Sequence, residues 1–125
     1  MDNFKNINDS YGHLVGDALL QEVASRLTNL HPNHFIARLG GDEFAIVVEP
    51  SVDVEMFAQQ TIKVFCEPIF LSGKELIVTS SIGISIYPDD GNDELQLIQY
   101  ADKAMYEAKR KGKNQFFRYN KGLEQ

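Results

Sequence analysis

The sequence predicts an α/β fold of the α+β sandwich type, in which helices flank a mixed central β-sheet. Stretches with apolar residues at helical spacing alternate along the chain with short apolar segments, and glycine-containing turns join these segments in pairs. The length of 125 residues suits one domain with one hydrophobic core.

The first predicted elements are a short helical turn over Asp2–Asp9 and an amphipathic helix that starts at about Asp17. We assign Gly12 and Gly16 to a loop between them, and Asp17 is a candidate N-cap for the second helix. His31-Pro32-Asn33 ends that helix, because the residue before a proline disfavours helical backbone.

A hairpin is predicted next, with strands Phe35–Leu39 and Glu43–Val48 around Gly40-Gly41-Asp42. Glycine supplies the positive φ that a tight hairpin turn requires. A second amphipathic helix follows over Val52–Phe65.

The rest of the chain is predicted to form another hairpin, a long helix and a last strand. Their order and spacing continue the alternation of helices with strands. The elements are strands Ile69–Leu71 and Leu76–Tyr87 around Ser72-Gly73-Lys74, a helix capped by Asn92 or Asp93 that runs to about Lys111, and a strand over Gln115–Tyr119.

Charge is distributed unevenly: 18 acidic and 12 basic residues give a net charge of −6. Residues 103–121 hold seven of the bases and one acid, Glu107, so this window carries +6 and the remainder −12. An acidic body with one basic end is a poor general nucleic-acid binder, but it can hold a small polyanion. The window also fits a solvated helix end whose cations complement the helix dipole.

Three short features bear on location and redox class. The longest apolar run, Phe44–Val48, is far shorter than a membrane span, and the N-terminal residues lack the apolar stretch of a signal peptide. One cysteine precludes an intrachain disulfide. These features predict a cytoplasmic domain that makes no membrane contact.

The segment Gly40-Gly41-Asp42-Glu43-Phe44 is the first candidate site. Adjacent carboxylates on an exposed turn suit a hard cation such as Mg²⁺, and glycines let a ligand approach the backbone. The alternative is a polar turn that binds nothing, and most Gly-Gly-Asp-Glu segments considered without further context are turns of this kind.

Two further segments could recognise a nucleotide. An amide at Asn8 and a carboxylate at Asp17 could together match the donors and acceptor of a guanine edge, although by themselves they fit an Asx turn and an N-cap better. Lys109 and Lys113 share a helix face and could contact phosphate. Glycines at Walker A spacing, zinc-ligand spacing and a nucleophile elbow are all absent from the sequence, which argues against those classes of site.

Four ordered segments carry a family resemblance: Asp2–His13 with Gly16-Asp17, Arg38–Phe44, Ser81–Ser85, and Ala101–Lys109 with Gly112–Asn114. They resemble the GGDEF domain of the diguanylate cyclase family over essentially the whole chain. The resemblance implies a nucleotidyl-cyclase-like GGDEF fold over residues 1–119, with residues 120–125 as a linker or tail.

The activity implied by this resemblance is nucleotidyl transfer between two GTP molecules. Two domains, each holding one GTP, face each other, and the 3′-hydroxyl of each GTP attacks the α-phosphate of the other. The products are cyclic di-GMP and two pyrophosphates. GTP, a divalent cation (Mg²⁺ or Mn²⁺) and a homodimer are therefore expected.

The resemblance also implies roles for individual residues. At the hairpin turn, Asp42 is expected to be a metal ligand and a candidate for activating the attacking hydroxyl, and Glu43 supports the metal. Gly40, Gly41 and Phe44 shape the turn. The residues expected to contact GTP are the guanine-reading Asn8 and Asp17, the phosphate-binding backbone amides of Asn3, Phe4 and Lys5, and the phosphate-binding Lys109 and Lys113.

Two places depart from the family pattern. A strand that ends in a second metal-binding Asp belongs just before Met1, so we expect an N-terminally clipped domain that lacks its first strand. His31 and His34 occupy the places of an Arg-x-x-Asp product-binding site. Because neither supplies an Arg–carboxylate pair, no inhibitory site is expected.

The tail that follows Tyr119 resembles the exit of GGDEF domains that continue into an EAL phosphodiesterase domain. EAL or sensor domains are therefore possible neighbours in the parent chain. This leaves a second interpretation, a catalytically silent GTP-binding module that regulates an attached EAL phosphodiesterase. A purely structural dimerisation domain is a third.

Overall fold

A computed structural model describes residues 1–41 and 43–120 of the chain. Contacts divide the chain into two units, Met1–Thr79 and Ser80–Gln125. The predicted class of mixed helices and strands is confirmed. Within the described residues the elements are α1 Phe4–Tyr11, α2 His13–Leu30, β1 Phe35–Gly40, β2 Glu43–Val47, α3 Val54–Phe65, β3 Ile69–Leu71, β4 Lys74–Leu76, β5 Ile82–Ile84, α4 Glu94–Arg110 and β6 Phe116–Arg118.

The described strands form three two-stranded sheets. In the first unit β1 pairs antiparallel with β2, and β3 pairs antiparallel with β4. In the second unit β5 and β6 run parallel, with Ile82 opposite Phe116. Both kinds of pairing expected of a mixed sheet are therefore present.

The core of the first unit forms on the buried face of α2. Apolar residues at three- and four-residue intervals place one stripe of α2 against α3 and the β3–β4 hairpin. Full burial of one such aliphatic side chain contributes roughly 2 kcal/mol. The buried cluster consists of Ile7, Leu19, Val23, Leu27, Phe65, Ile69, Leu76 and Val78.

The start of α2 corrects a prediction. The helix begins at His13, directly after Gly12, whose φ of 89° turns the chain between α1 and α2. Gly16 is buried inside the helix rather than in a loop, and Asp17 lies in the second helical turn rather than at the N-cap. Gly12 alone separates the two helices, so no longer loop is needed. Its backbone N–H makes the last hydrogen bond of α1 by donating to the carbonyl of Asn8.

The predicted long strand over Leu76–Tyr87 is wrong. The hairpin turn is the two-residue pair Ser72-Gly73, with φ values of 52° and 75°, so Lys74 already belongs to β4. β4 ends at Leu76, and strand pairing resumes only at β5. Alternating apolar residues make a strand only where a neighbouring backbone offers hydrogen bonds.

Side-chain caps begin the two later helices. Asp53 caps α3 by accepting from the backbone N–H of Met56 at 3.2 Å. Asp93, one of the two predicted caps of α4, accepts from the N–H of Gln96 at 2.8 Å. Within the described residues, no helix combines the length and apolar character needed to cross a bilayer.

In the second unit α4 packs closely on β5. Ala104 and Ala108 are fully buried, and β5 approaches α4 through Gly83. A Cβ atom at Gly83 would lie 1.8 Å from the carbonyl oxygen of Ala101, so only glycine permits this contact.

Candidate functional site

The turn between β1 and β2 has the predicted hairpin geometry. Gly40 and Gly41 have φ values of 148° and 51°, and Glu43 opens β2 opposite Gly40. The Nε–H of Arg38 donates to the carbonyl of Gly41 at 2.9 Å, which ties the turn to β1. Asp42, the predicted metal ligand, lies outside the described residues.

An open cavity of about 550 Å³ borders this hairpin. Phe44, half-buried against the core of the first unit, lines one side together with Arg38. Asp17, Leu20 and Gln21 of α2 line the other side. The cavity thus combines apolar walls with one carboxylate and one guanidinium, a composition typical of small-molecule sites.

Asn8 lies against α2 at Gly16, the residue that precedes Asp17. A Cβ atom at Gly16 would sit 1.7 Å from Asn8 Oδ1, so glycine makes this approach possible. Among the described residues, the buried Oδ1 of Asn8 has no hydrogen-bond partner. The structure therefore packs the Asn8 side chain against α2 at the residue before Asp17.

The N-terminus of α1 is fixed by a buried carboxylate. Asp2 is 2% exposed; its backbone N–H donates to the carbonyl of Thr79 at 2.9 Å, and its Oδ2 accepts from Thr79 Oγ1 at 2.6 Å. Asn3 follows with a φ of 68° and no side-chain cap. The first amides of a helix have no intrahelical acceptor, so those of Asn3, Phe4 and Lys5 suit an anion.

The predicted phosphate-binding lysines lie in the second unit. Lys109 is half-buried in the last turn of α4, and Lys113 is exposed beyond its end. The prediction that they share a helix face is wrong, because the chain leaves the helix at Gly112 and Lys113 has a φ of 65°. Between them, Arg110 is paired with Glu107, its Nε–H donating to Oε2 at 3.1 Å. This pairing lowers the pKa of Glu107 and raises that of Arg110, so the Arg110 charge is already engaged.

His31 is a packing residue. Its ring is 3% exposed and stacks on Phe57 with centroids 3.6 Å apart. Thr61 Oγ1 donates to the carbonyl of Phe57, so its contact of 2.9 Å with His31 Nε2 requires that nitrogen to donate. Burial lowers the pKa of His31, and the nearby His34 lowers it further. The absence of an inhibitory site stays a prediction.

Sequence reasoning missed two supporting residues. Gly16 was assigned to a loop, although a glycine inside a helical pattern often marks a close approach. Thr79 was treated as an ordinary strand residue, and nothing in the local sequence links it to Asp2.

Within the described residues, no cluster of three His, Cys, Asp or Glu side chains is arranged to hold a metal ion.

The chain belongs to the GGDEF family of diguanylate cyclase domains. The sequence model described as "Diguanylate cyclase, GGDEF domain" matches residues 1–115. Cyclases of this family use divalent metal ions.

Known relatives agree with this assignment. The bifunctional diguanylate cyclase/cyclic di-GMP phosphodiesterase MucR of Pseudomonas aeruginosa is 44% identical over 117 residues, covering 91% of this chain and 17% of MucR. The cyclic di-GMP phosphodiesterase NbdA of the same organism is 39% identical over 122 residues, 94% of this chain and 16% of NbdA. The chain thus spans about a sixth of the length of these relatives.

The solved structures show the same fold. The GGDEF domain of TpbB (YfiN) from P. aeruginosa superposes with a TM-score of 0.91 at 36% identity, covering 98% of this chain and 74% of that one.

Proposed function

We propose that this chain is a diguanylate cyclase domain that, as a homodimer, condenses two GTP molecules into cyclic di-GMP and two pyrophosphates. The observation that carries the proposal is the close approach of Asn8 to Gly16, the residue before Asp17, which itself lines the cavity. Family membership supplies the reaction class, and this local arrangement supports the proposal that guanine is recognised here.

Guanine recognition is assigned to Asn8 and Asp17. The exposed carboxylate of Asp17 can accept the N1–H and N2–H₂ donors from one edge of the ring. The half-buried Asn8 carries an amide, which can both donate and accept, and guanine offers an acceptor at O6 beside its donors. Leu20 and Phe44 give the cavity apolar surface against which a base can pack.

The phosphates are assigned to main-chain and lysine donors. The amides of Asn3, Phe4 and Lys5 stand at the positive end of α1, next to the Asp2–Thr79 pair. We also assign phosphate contacts to Lys109 and Lys113.

The chemistry is assigned to the hairpin turn. The 3′-oxygen of one GTP attacks the α-phosphorus of the other, a phosphorus–oxygen bond forms, and the bond to the β-phosphate breaks as pyrophosphate leaves. Asp42 is proposed to take the hydroxyl proton, with Glu43 beside it. The oxygen donors of Asp42 and Glu43 fit a hard cation, Mg²⁺ or Mn²⁺, which when bound would offset charge on the phosphates.

The boundaries of the domain are also proposals. We assign residues 1–119 to the GGDEF domain and 120–125 to a linker. We also propose a strand upstream of α1, which would follow on from the backbone hydrogen bond that Asp2 donates to Thr79. A cytoplasmic location, and EAL or sensor domains in the parent chain, follow from the family resemblance.

A second candidate is a silent GTP-binding module that regulates an EAL phosphodiesterase. The relatives favour it in one respect: one of them is named as a phosphodiesterase and another as a bifunctional protein. Both candidates need GTP binding, whereas only the first needs pyrophosphate release.

The test is turnover of GTP with Mg²⁺, measured as pyrophosphate release. It should be run on this chain and on a version extended upstream by about ten residues, roughly one strand with its connection. Activity in either version that Asp42→Ala abolishes would support the cyclase. GTP binding without turnover in both versions would favour the regulatory module, and no GTP binding would refute both.

A further inference from the structure

The end of α4 is closed by a Schellman motif. The N–H of Gly112 donates to the carbonyl of Lys109 at 3.3 Å, and the N–H of Lys113 donates to the carbonyl of Ala108 at 2.9 Å. Gly112, with a φ of 125°, stands where such a motif requires a left-handed residue. This cap would be complete without any further left-handed residue.

The two residues that follow are nevertheless left-handed as well. Lys113 and Asn114 have φ values of 65° and 51°. Asparagine tolerates this conformation, but lysine avoids it unless the surroundings impose it, so Lys113 requires contacts that hold it there.

Gln115 makes two hydrogen bonds that hold this segment in place. Its side-chain Nε2 donates to the carbonyl of Ala108 at 3.2 Å, the same oxygen that accepts from Lys113. Its own carbonyl accepts from the N–H of Ile82 at 3.0 Å, which joins the segment to β5. The stretch Lys113-Asn114 is therefore fixed at its start by the end of α4 and at its finish by β5.

We propose that Gln115 is a positioning residue for phosphate binding, because its bond to Ala108 holds the left-handed Lys113-Asn114 turn and so sets the direction of the Lys113 side chain. The inference rests on the proposed function, which gives Lys113 a phosphate of GTP. Gln115 acts through this turn and needs no contact with the nucleotide.

The test uses the 125-residue chain and three probes: GTP, inorganic triphosphate and guanosine. Gln115→Met keeps the size of the side chain but removes the donor. Loss of one such hydrogen bond should weaken binding of GTP and of triphosphate about fivefold. Guanosine affinity should not change, because the turn acts on phosphates alone. Gln99→Met makes the same replacement at an exposed position of α4 and should change none of the three affinities.

A second pair of variants tests the backbone conformation separately. Asn114→Ala disfavours positive φ and should weaken triphosphate binding more than Asn114→Gly, which removes the same side chain but permits positive φ. If Gln115→Met fails to fold, this pair still tests whether the left-handed Lys113-Asn114 turn is needed for phosphate binding.

The proposal and its premise fail in different ways. Unaltered triphosphate affinity in Gln115→Met and Asn114→Ala, or an equal loss of guanosine affinity, would overturn the positioning role while leaving GTP binding intact. If the unaltered chain binds no GTP, the proposed function fails and the positioning role fails with it.

Discussion

Replacing Gly16 with alanine should weaken GTP binding while leaving the chain folded. The new Cβ would lie 1.7 Å from Asn8 Oδ1 and 2.8 Å from Asn8 Cγ, so the Asn8 side chain must rotate away. That oxygen has no partner among the described residues, so the rotation breaks no hydrogen bond there. Alanine in place of glycine favours a helix interior by about 1 kcal/mol, which offsets a strained Asn8 rotamer of similar cost.

We therefore expect the free energy of unfolding of Gly16→Ala to stay within about 1 kcal/mol of the unaltered chain in urea titrations. GTP affinity should fall about tenfold, the loss expected when a ligand's polar partner is displaced. Isothermal titration calorimetry with GTP would measure this change.

A double-mutant cycle with Asn8→Ala shows whether the effect passes through the amide. Without the Asn8 amide there is nothing for the new methyl group to displace. Gly16→Ala should then leave GTP affinity unchanged and should stabilise the chain by about 1 kcal/mol. The reasoning is refuted if Gly16→Ala binds GTP normally, or if it weakens binding equally in the Asn8→Ala background.

Three other predictions concern stability and are measured by urea unfolding. Gly83→Ala should destabilise the chain by about 3 kcal/mol, because its Cβ would meet the backbone of α4 at Ala101 rather than a flexible side chain. An unchanged urea midpoint would contradict the close packing of β5 on α4. Arg26→Met should cost about 2 kcal/mol, since this half-buried guanidinium donates to the carbonyls of Val64, Glu67 and Pro68 at the end of α3; Arg26→Lys should recover only part of it. The free energy of unfolding should fall as the pH drops below 6.5. Burial lowers the pKa of His31 in the folded chain, so below pH 6.5 the unfolded chain binds a proton at His31 that the folded chain does not bind. This decrease should stop once the pH is below the pKa of His31 in the folded chain, and it should be smaller in His31→Phe. If His31→Phe has the same pH profile as the unaltered chain, His31 is not the group responsible.

The sequence predicted the elements whose signals are local. The hairpin at Gly40-Gly41 and the Asp93 cap of α4 each depend on residues within a few positions of one another, so propensity and turn chemistry suffice. The predicted strand over Leu76–Tyr87 failed because pairing is not local. After Leu76 the chain continues with residues that favour strands, but in the described part of the chain hydrogen-bonded strand pairing resumes only at β5.

The same distinction explains what could be predicted of the site. The roles proposed for Asn8 and Asp17 came from resemblance, since their residue types alone fitted a turn and an N-cap better. Their juxtaposition depends on two glycines that carry no functional group. Gly12 turns the chain with a φ of 89°, and Gly16 leaves the space against α2 that the Asn8 amide occupies. A sequence search for chemically active side chains passes over both. A substitution at either glycine should therefore impair guanine recognition without altering any group that contacts the base.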